Sequence, residues 1–315
     1  MANTDHDALG WRVGLVGYGE VGRILAEDLR ARGAGRIGAC DIKLGTSAEA
    51  ALLEHASAYG VDLVASHAAL AAQSDLVICA VTASQAVPAA RSCAEGLTRS
   101  AWFLDFNSAS PLAKQSAAGL IEGVGGRYVE GAVMTSVPPY RIRVPLLLGG
   151  PHAAALAPLL AELGFCVQVA SERLGVASAT KMCRSVMIKG LEALLIESLT
   201  AARAYGVENA VLASLKETFA GIEWEKQAAY FFQRVIRHGR RRAEEMREAA
   251  RTVEEAGLTP WSAIGTAERQ AWMAGLAEED VFGERGGKAF ACSDDWRTEA
   301  DRILNRIRPP RIKPR

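Results

Sequence analysis

Three basic side chains stand close together in the stretch Leu174 to Gly190, LGVASATKMCRSVMIKG: Lys181, Arg184 and Lys189. At about 100° per residue, Lys181, Arg184, Ser185 and Ile188 fall on one helical stripe, with Lys189 at its edge. The chemistry open to such an amine is proton transfer. Reducing a carbonyl by hydride needs a proton at the developing alkoxide, and oxidising an alcohol needs one removed. A lysine desolvated between two domains has its pKa drawn down towards neutrality, and its charge steadies the alkoxide. A lysine held in an interdomain salt bridge would account for the same residue without chemistry. Ser185, one turn on, carries a hydroxyl able to orient the lysine or a substrate. Arg184 offers a guanidinium for bidentate pairing with a carboxylate or phosphate, or for a helix end or acidic neighbour. Lys189, two turns beyond Lys181, is the second candidate and suits packing better.

A second chemical pattern lies near the N-terminus. The β-forming run Trp11 to Gly17 ends in Gly17-Tyr18-Gly19-Glu20-Val21-Gly22 and continues into the amphipathic stretch Arg23 to Arg32. Strand, G-x-G-x-x-G and helix in that order form the dinucleotide-binding fingerprint. Gly17 permits the tight turn, Gly19 lets the backbone approach a pyrophosphate, and Gly22 lets helix and strand pack closely, while the helix N-terminus presents unpaired N–H groups. A following strand, Arg36 to Cys40, ends in Asp41, about 20 residues beyond the last glycine, where a carboxylate accepts hydrogen bonds from ribose hydroxyls. A carboxylate there repels a 2′-phosphate and favours NAD, although Lys43 nearby leaves NADP open. A glycine-rich turn that binds nothing is the plainer alternative.

The elements that must position these residues alternate. Helices are expected over Ala48 to Tyr59 and His67 to Ala72, and strands near Asp62 to Ala65, over Asp75 to Val81 and over Ala101 to Asp105. Loops at the carboxyl ends of such strands bind ligands in α/β sheets. Val81, at the end of the buried strand, and Thr82 after it are therefore expected beside a cofactor, with Asn107 and Ser108 exposed at the same edge and Ser110 and Pro111 as N-cap and first position of the next helix. Turn chemistry alone explains Asn107 and Ser108 equally. The strand Arg127 to Val133 leads into the loop Met134 to Pro139, whose Thr135 and Ser136 suit a substrate's oxygens, unless its prolines mark only a stiff connection. After the strands Val144 to Leu148 and Phe165 to Val169 only helical periodicity remains. The helix containing Lys181 runs to about Ala201, apolar around much of its circumference, as a central post or dimer interface would be. Further helices follow over Glu208 to Phe219 and Glu223 to Ile236. His238-Gly-Arg-Arg-Arg242 reads as the opening of another that ends at Gly257-Leu-Thr-Pro260. His238 and Arg241 are candidates for an acidic substrate, though Glu245 can pair with Arg241 at i+4 and a solvated charged face explains them too.

Composition narrows the partners. The 315 residues suffice for about two domains, and 50% hydrophobic residues fill real cores. Lys plus Arg equals Asp plus Glu at 36 each, so no net field recommends nucleic acid or an anionic membrane. The basic, Pro-rich end from Arg306 reads as a solvated tail. Six cysteines, Cys40, Cys79, Cys93, Cys166, Cys183 and Cys292, lack Cys-x-x-Cys spacing and read as reduced thiols of a cytoplasmic protein. His6, His55, His67 and His152 form no metal set in sequence, and no apolar run reaches the ~20 residues of a membrane span.

The order of these motifs resembles the β-hydroxyacid dehydrogenase superfamily, which includes 3-hydroxyisobutyrate and phosphogluconate dehydrogenases, over nearly the whole chain. Gly17 to Gly22 resembles its cofactor motif, and Asp105 to Pro111 its D-x-S-T-x-x-P segment. Glu130 to Ser136 stands where the family has D-A-P-V-S-G-G, with Met134, Thr135 and Ser136 in place of Ser-Gly-Gly. Gly175 and Lys181 match G-x-G-x-x-x-K-x-x-N-N, whose second glycine is Ala177 here and whose asparagines are Arg184 and Ser185. The pattern is closest to a bacterial subgroup with a divergent phosphogluconate-dehydrogenase-like C-terminal domain. The resemblance implies an α/β N-terminal Rossmann domain, doubly wound on a mostly parallel sheet, over 1–172, and an all-α substrate and dimerisation domain over 173–315. It implies an NAD(P)-dependent dehydrogenase acting on a small hydroxy acid, with Lys181 as general acid/base, and a homodimer. Imine reduction on the same scaffold, and a nicotinamide-binding sensor without turnover, are the alternatives.

Overall fold

Short runs rich in Val, Ile, Leu and aromatic residues become the strands of the first half of the chain. In the computed structural model, which describes residues 8–307 except 286, 288, 289 and 292, they form one eight-stranded sheet. The extreme N-terminal segment with His6, Cys292, and the tail from residue 308 lie outside the described residues. The order in the chain is β1 (Arg12–Val16), α1 (Glu20–Ala31), β2 (Arg36–Cys40), α2 (Ala50–Tyr59), β3 (Val61–Leu63), α3 (His67–Ala72) and β4 (Leu76–Cys79). It continues with α4 (Ala86–Ala94), β5 (Trp102–Asp105), α5 (Pro111–Gly123), β6 (Arg127–Val133), α6 (Val137–Tyr140), β7 (Pro145–Gly149), α7 (Ala153–Glu162) and β8 (Cys166–Ser171).

The strands lie in the order β3-β2-β1-β4-β5-β6-β7-β8, all pairs parallel except β6 with β7. This is the doubly wound, mostly parallel sheet that the alternation predicts. Its order reverses between β1 and β4, so the loops after these two strands meet at the switch point where such sheets take ligands. Successive residues of a strand point to opposite faces. Leu76 and Ile78 accordingly join one buried cluster with Leu25 and Leu29 of α1, while Val77 and Cys79 join another with Leu70, Ala90 and Ile121. Ser110 accepts the Ala113 N–H and Pro111 takes the first turn of α5, as its sequence predicts. The loop expected from Met134 to Pro139 is shorter. Ser136 ends it and Val137-Pro138-Pro139-Tyr140 forms the helical turn α6, because proline's fixed φ suits a first turn whose N–H groups need no partner.

Contacts divide the chain into a unit through Met182 and a unit from Cys183, so the dividing line falls inside α8 (Val176–Tyr205). The second unit contains the rest of α8, α9 (Glu208–Thr218), α10 (Trp224–Glu255), α11 (Trp261–Glu278) and α12 (Trp296–Ile307). Its core joins Ile196 and Leu199 of α8 to Phe232 and Val235 of α10, Met273 of α11, and Trp296 and Ile303 of α12. One expectation fails here. His238 opens no helix, since α10 runs unbroken from Trp224 to Glu255 through Gly239. A glycine inside a helix costs about 1 kcal/mol relative to alanine, but this one sits against α11, where an added Cβ would stand 2.7 Å from the Gln270 carbonyl oxygen. Close packing, invisible along the chain, holds the helix through the glycine. No helix among the described residues is long and apolar enough to cross a membrane.

Candidate active site

The glycine loop has the shape its spacing predicts. Gly17 has φ +91°, and a Cβ there would meet the Ala80 carbonyl oxygen at 2.4 Å. A Cβ on Gly22 would meet the Gly17 carbonyl oxygen at 2.2 Å, whereas a Cβ on Gly19 would face open space. Gly19 caps α1 with no side-chain hydrogen bond, so the first turn, from exposed Glu20 through half-buried Val21, offers backbone N–H groups to an anion. That cradle fits the diphosphate of a dinucleotide. Asp41 completes it: its carboxylate accepts the Tyr18 N–H at 2.8 Å and the Lys43 N–H at 2.9 Å, fixing it beside the loop.

Tyr18 takes part through its backbone only. Its ring is fully buried, its hydroxyl lies 2.7 Å from His55 Nδ1, and burial pushes its phenol up to about 12. His55 Nε2 meets Glu27 at 3.0 Å, and Arg141 joins Glu27 at 2.6 Å and Asp28 at 2.8 Å. The hydrogen bond from His55, then that from Arg141, holds the Glu27 carboxyl below its ordinary range, against the effect of burial. This network ties the glycine loop and α1 to α2 and to the segment after α6.

At the carboxyl end of β5 the geometry corrects one expectation and sharpens another. Asn107 is buried, not exposed, because its side chain ties two loops together. Oδ1 accepts the Val81 N–H at 2.7 Å, and Nδ2 donates to Asp105 Oδ1 at 2.7 Å. The Val81 N–H is thereby occupied within the protein, while Thr82 stays exposed. Ser108, expected beside the cofactor, receives a hydrogen bond from Lys181 Nζ at 2.5 Å. The two residues are far apart in sequence, yet they meet at the carboxyl edge of the sheet.

Two buried charges that sequence reasoning passed over hold this edge. Glu130, fully buried on β6, accepts the Gly175 N–H at 2.7 Å and the Ser178 N–H at 2.5 Å, capping the helix that carries Lys181. Lys114 of α5, also fully buried, donates to the Asp105 carbonyl at 2.9 Å and the Gly131 carbonyl at 3.2 Å and pairs with Asp105 Oδ1 at 2.9 Å. Tyr128 donates to Asp105 Oδ2 at 2.7 Å, and its own phenol is pushed far up by burial, then by the carboxylate. A signal for Lys114 exists in the sequence. It shares the i, i+3, i+4, i+7 stripe with Ala117, Ala118 and Ile121, a lysine on an apolar face.

The other candidates are placed as follows. Thr135 is exposed and Ser136 half-buried ahead of α6. In the helical unit Arg184 is exposed, but Ser185 is buried with its hydroxyl accepting from Lys189 Nζ at 3.0 Å, so it does not orient Lys181. Helical side chains lean towards the N-terminus, which brings Lys189 back onto Ser185 and carries Lys181 away from it. Lys189 also pairs with Glu245 at 3.0 Å, and burial draws its ammonium below the ordinary lysine value. His238 is exposed on α10. Arg241 is exposed too and lies 3.9 Å from Glu245, as its i+4 spacing predicts, while Arg242 turns inward onto buried Glu192. Among the described residues no group of His, Cys, Asp and Glu is placed to hold a metal ion.

Comparison with known proteins adds to this geometry. Residues 12–105 match the family model described as NADP oxidoreductase, coenzyme F420-dependent, and residues 202–273 match a domain of unknown function, DUF1932. A conserved hypothetical protein of Sinorhizobium meliloti 1021 is 36% identical, with 98% of this chain and 100% of that one covered and a TM-score of 0.75. The conserved protein MTH1747, described as structurally similar to 3-hydroxyacid dehydrogenases, is 31% identical over 84% of this chain and 99% of its own, with a TM-score of 0.65. A 3-hydroxyisobutyrate dehydrogenase of Mycobacterium tuberculosis, solved with L-serine, shares the fold at 16% identity, covering 93% of this chain and 99% of that one at a TM-score of 0.63.

Proposed function

This chain belongs to the β-hydroxyacid dehydrogenase superfamily, and on that premise we propose that it is an NAD(P)-dependent oxidoreductase interconverting the alcohol and carbonyl of a small hydroxy acid or polar alcohol. One observation carries the reading: Lys181 Nζ donates to Ser108 Oγ at 2.5 Å, at the sheet edge that also bears the glycine loop. In the oxidising direction the neutral amine of Lys181 takes the substrate's hydroxyl proton as hydride leaves the adjacent carbon. In the reducing direction the ammonium returns that proton to oxygen. Ser108 accepts from Lys181 and keeps its own hydroxyl proton to donate, so two donors converge where an alkoxide forms. The nicotinamide, when bound, supplies hydride acceptance and donation. Gly17 to Gly22 would hold its diphosphate, with Thr82 alongside, and Asp41 would accept from the ribose hydroxyls. The Asp41 carboxylate favours NAD over NADP.

On the helical unit the exposed side chains of Arg184, His238 and Arg241 suit an anionic substrate; on the N-terminal unit Thr135 and Ser136 offer hydroxyls to a substrate's oxygens. We read the chain as a homodimer. Met187, Leu191 and Leu194, at i, i+4 and i+7 of α8, are 64%, 40% and 67% exposed, an apolar stripe that a second copy would cover. Free cysteines fit the cytoplasm as its compartment. A screen of hydroxy acids with NAD and with NADP, read by absorbance of the reduced nicotinamide, finds the substrate. Lys181→Met then separates binding from chemistry: NADH affinity stays and turnover falls about 10²–10⁴-fold. Unchanged turnover would overturn the assignment.

A further inference from the structure

Proton transfer at the half-buried Lys181 leaves the fully buried lysine of the N-terminal unit, Lys114, unused. Lys114 has 0% exposure, and an ammonium survives such burial only with its donors satisfied. It has three protons and three acceptors: Asp105 Oδ1, the Asp105 carbonyl and the Gly131 carbonyl, at 2.9, 2.9 and 3.2 Å. Replacing a buried ion pair as a whole by well-packed apolar side chains is often neutral for stability, whereas removing Lys114 alone would strand the buried Asp105 carboxylate, so the pair is better explained by what it positions.

Two branches leave it. One runs through Asp105, whose Oδ1 also accepts from the Asn107 N–H at 2.9 Å and from Asn107 Nδ2 at 2.7 Å, to the residue directly before Ser108. The other runs through Gly131 to its neighbour Glu130, whose carboxylate holds the Gly175 and Ser178 N–H groups at the start of the helix bearing Lys181. The two branches close on each other at the contact between Lys181 and Ser108.

We propose that Lys114 is a positioning residue that sets the register of Ser108 against Lys181 by holding the β5 loop and β6 together from beneath. The proposal rests on the reading of Ser108 and Lys181 as the proton-transfer pair. A displacement of about 1 Å in such a pair is enough to lower turnover about 100-fold.

The test reads Lys181 itself and needs no substrate. In the full chain, acylation of Lys181 by acetic anhydride is followed against pH by peptide mass spectrometry in wild type, Lys114→Met, Ser108→Ala and the double variant. The hydrogen bond to Ser108 favours the ammonium, so its loss moves the Lys181 midpoint to lower pH and speeds acylation about tenfold at a fixed pH. Ser108→Ala and Lys114→Met should each give that shift, and the double variant no more than either. Removing a nearby cation through space shifts the midpoint the opposite way, so an upward shift overturns the proposal. So does an unchanged midpoint, or a double variant in which the two shifts add. Should Lys114→Met not fold, Asp105→Asn combined with it removes the stranded carboxylate and the same comparison is made in that background. Failure of that variant to fold also overturns the proposal, leaving Lys114 a folding residue only. If Lys181→Met keeps full turnover while the shifts remain coupled, the proposed function fails and the positioning stands.

Discussion

Glu130→Gln isolates what holds the helix of Lys181 in place. The wild-type carboxylate accepts two backbone N–H groups, from Gly175 and Ser178, with both of its oxygens and no exposure to water. A glutamine of the same shape keeps one acceptor oxygen and turns an NH₂ group towards the other N–H. One charge-assisted bond is thereby weakened to a neutral one, and the other is replaced by a donor facing a donor. An unsatisfied buried donor costs about 1–3 kcal/mol, and the weakened bond about 1 kcal/mol more. The start of α8 should therefore open about 2–4 kcal/mol more easily. At 1.4 kcal/mol per factor of ten, that is about 30- to 700-fold faster amide exchange. Hydrogen exchange with mass spectrometry on peptides spanning Gly175 to Met182 reads this directly, with peptides of β1 and β4 as internal controls. Exchange within threefold of wild type at Gly175 to Met182 would refute the reasoning, and the capping role of Glu130 with it. A uniform rise across the whole N-terminal unit would instead show that the carboxylate supports the fold globally.

Three further outcomes follow from the same geometry. Gly239→Ala, a change that usually stabilises a helix by about 1 kcal/mol, should here destabilise the helical unit by about 1–3 kcal/mol, since the new Cβ meets the Gln270 carbonyl oxygen at 2.7 Å; a higher urea midpoint would contradict it. The Glu27 carboxyl is held below the ordinary glutamate value of 4.5 by the hydrogen bond from His55 and then that from Arg141. Its contribution is therefore present above pH 4.5 and fades as pH falls through the lowered value, so the melting-temperature difference between wild type and Glu27→Gln should shrink on acidification, and a constant difference from pH 7 to 3 excludes it. If the chain is the proposed homodimer, Leu194→Glu on the exposed face of α8 should give a monomer by light scattering, and a monomeric wild type at micromolar concentration overturns the dimer proposal.

What could be read along the chain is what depends on near neighbours. The turn at Gly17, the close approach at Gly22, the N-cap at Ser110 and the stop at Gly257 each follow from φ limits and hydrogen bonds within a few residues, and all were legible. The α/β alternation followed from strand and helix periods in the same way. Of the proposed site, Lys181 could be named from the sequence, and its surroundings could not. Asn107 looked exposed because a polar residue in a loop gives no sign of the Val81 N–H that it must satisfy. Ser185 looked like a partner of Lys181 because spacing alone does not say which way a helical side chain leans. Gly239 looked like a boundary because the packing of α11 against it is absent from the local sequence. Glu130 finds its partners 45 and 48 residues away, and Lys114 joins two strands. Local sequence determines where the backbone can turn. Which buried charge answers which buried donor is decided only when distant segments pack and exclude water.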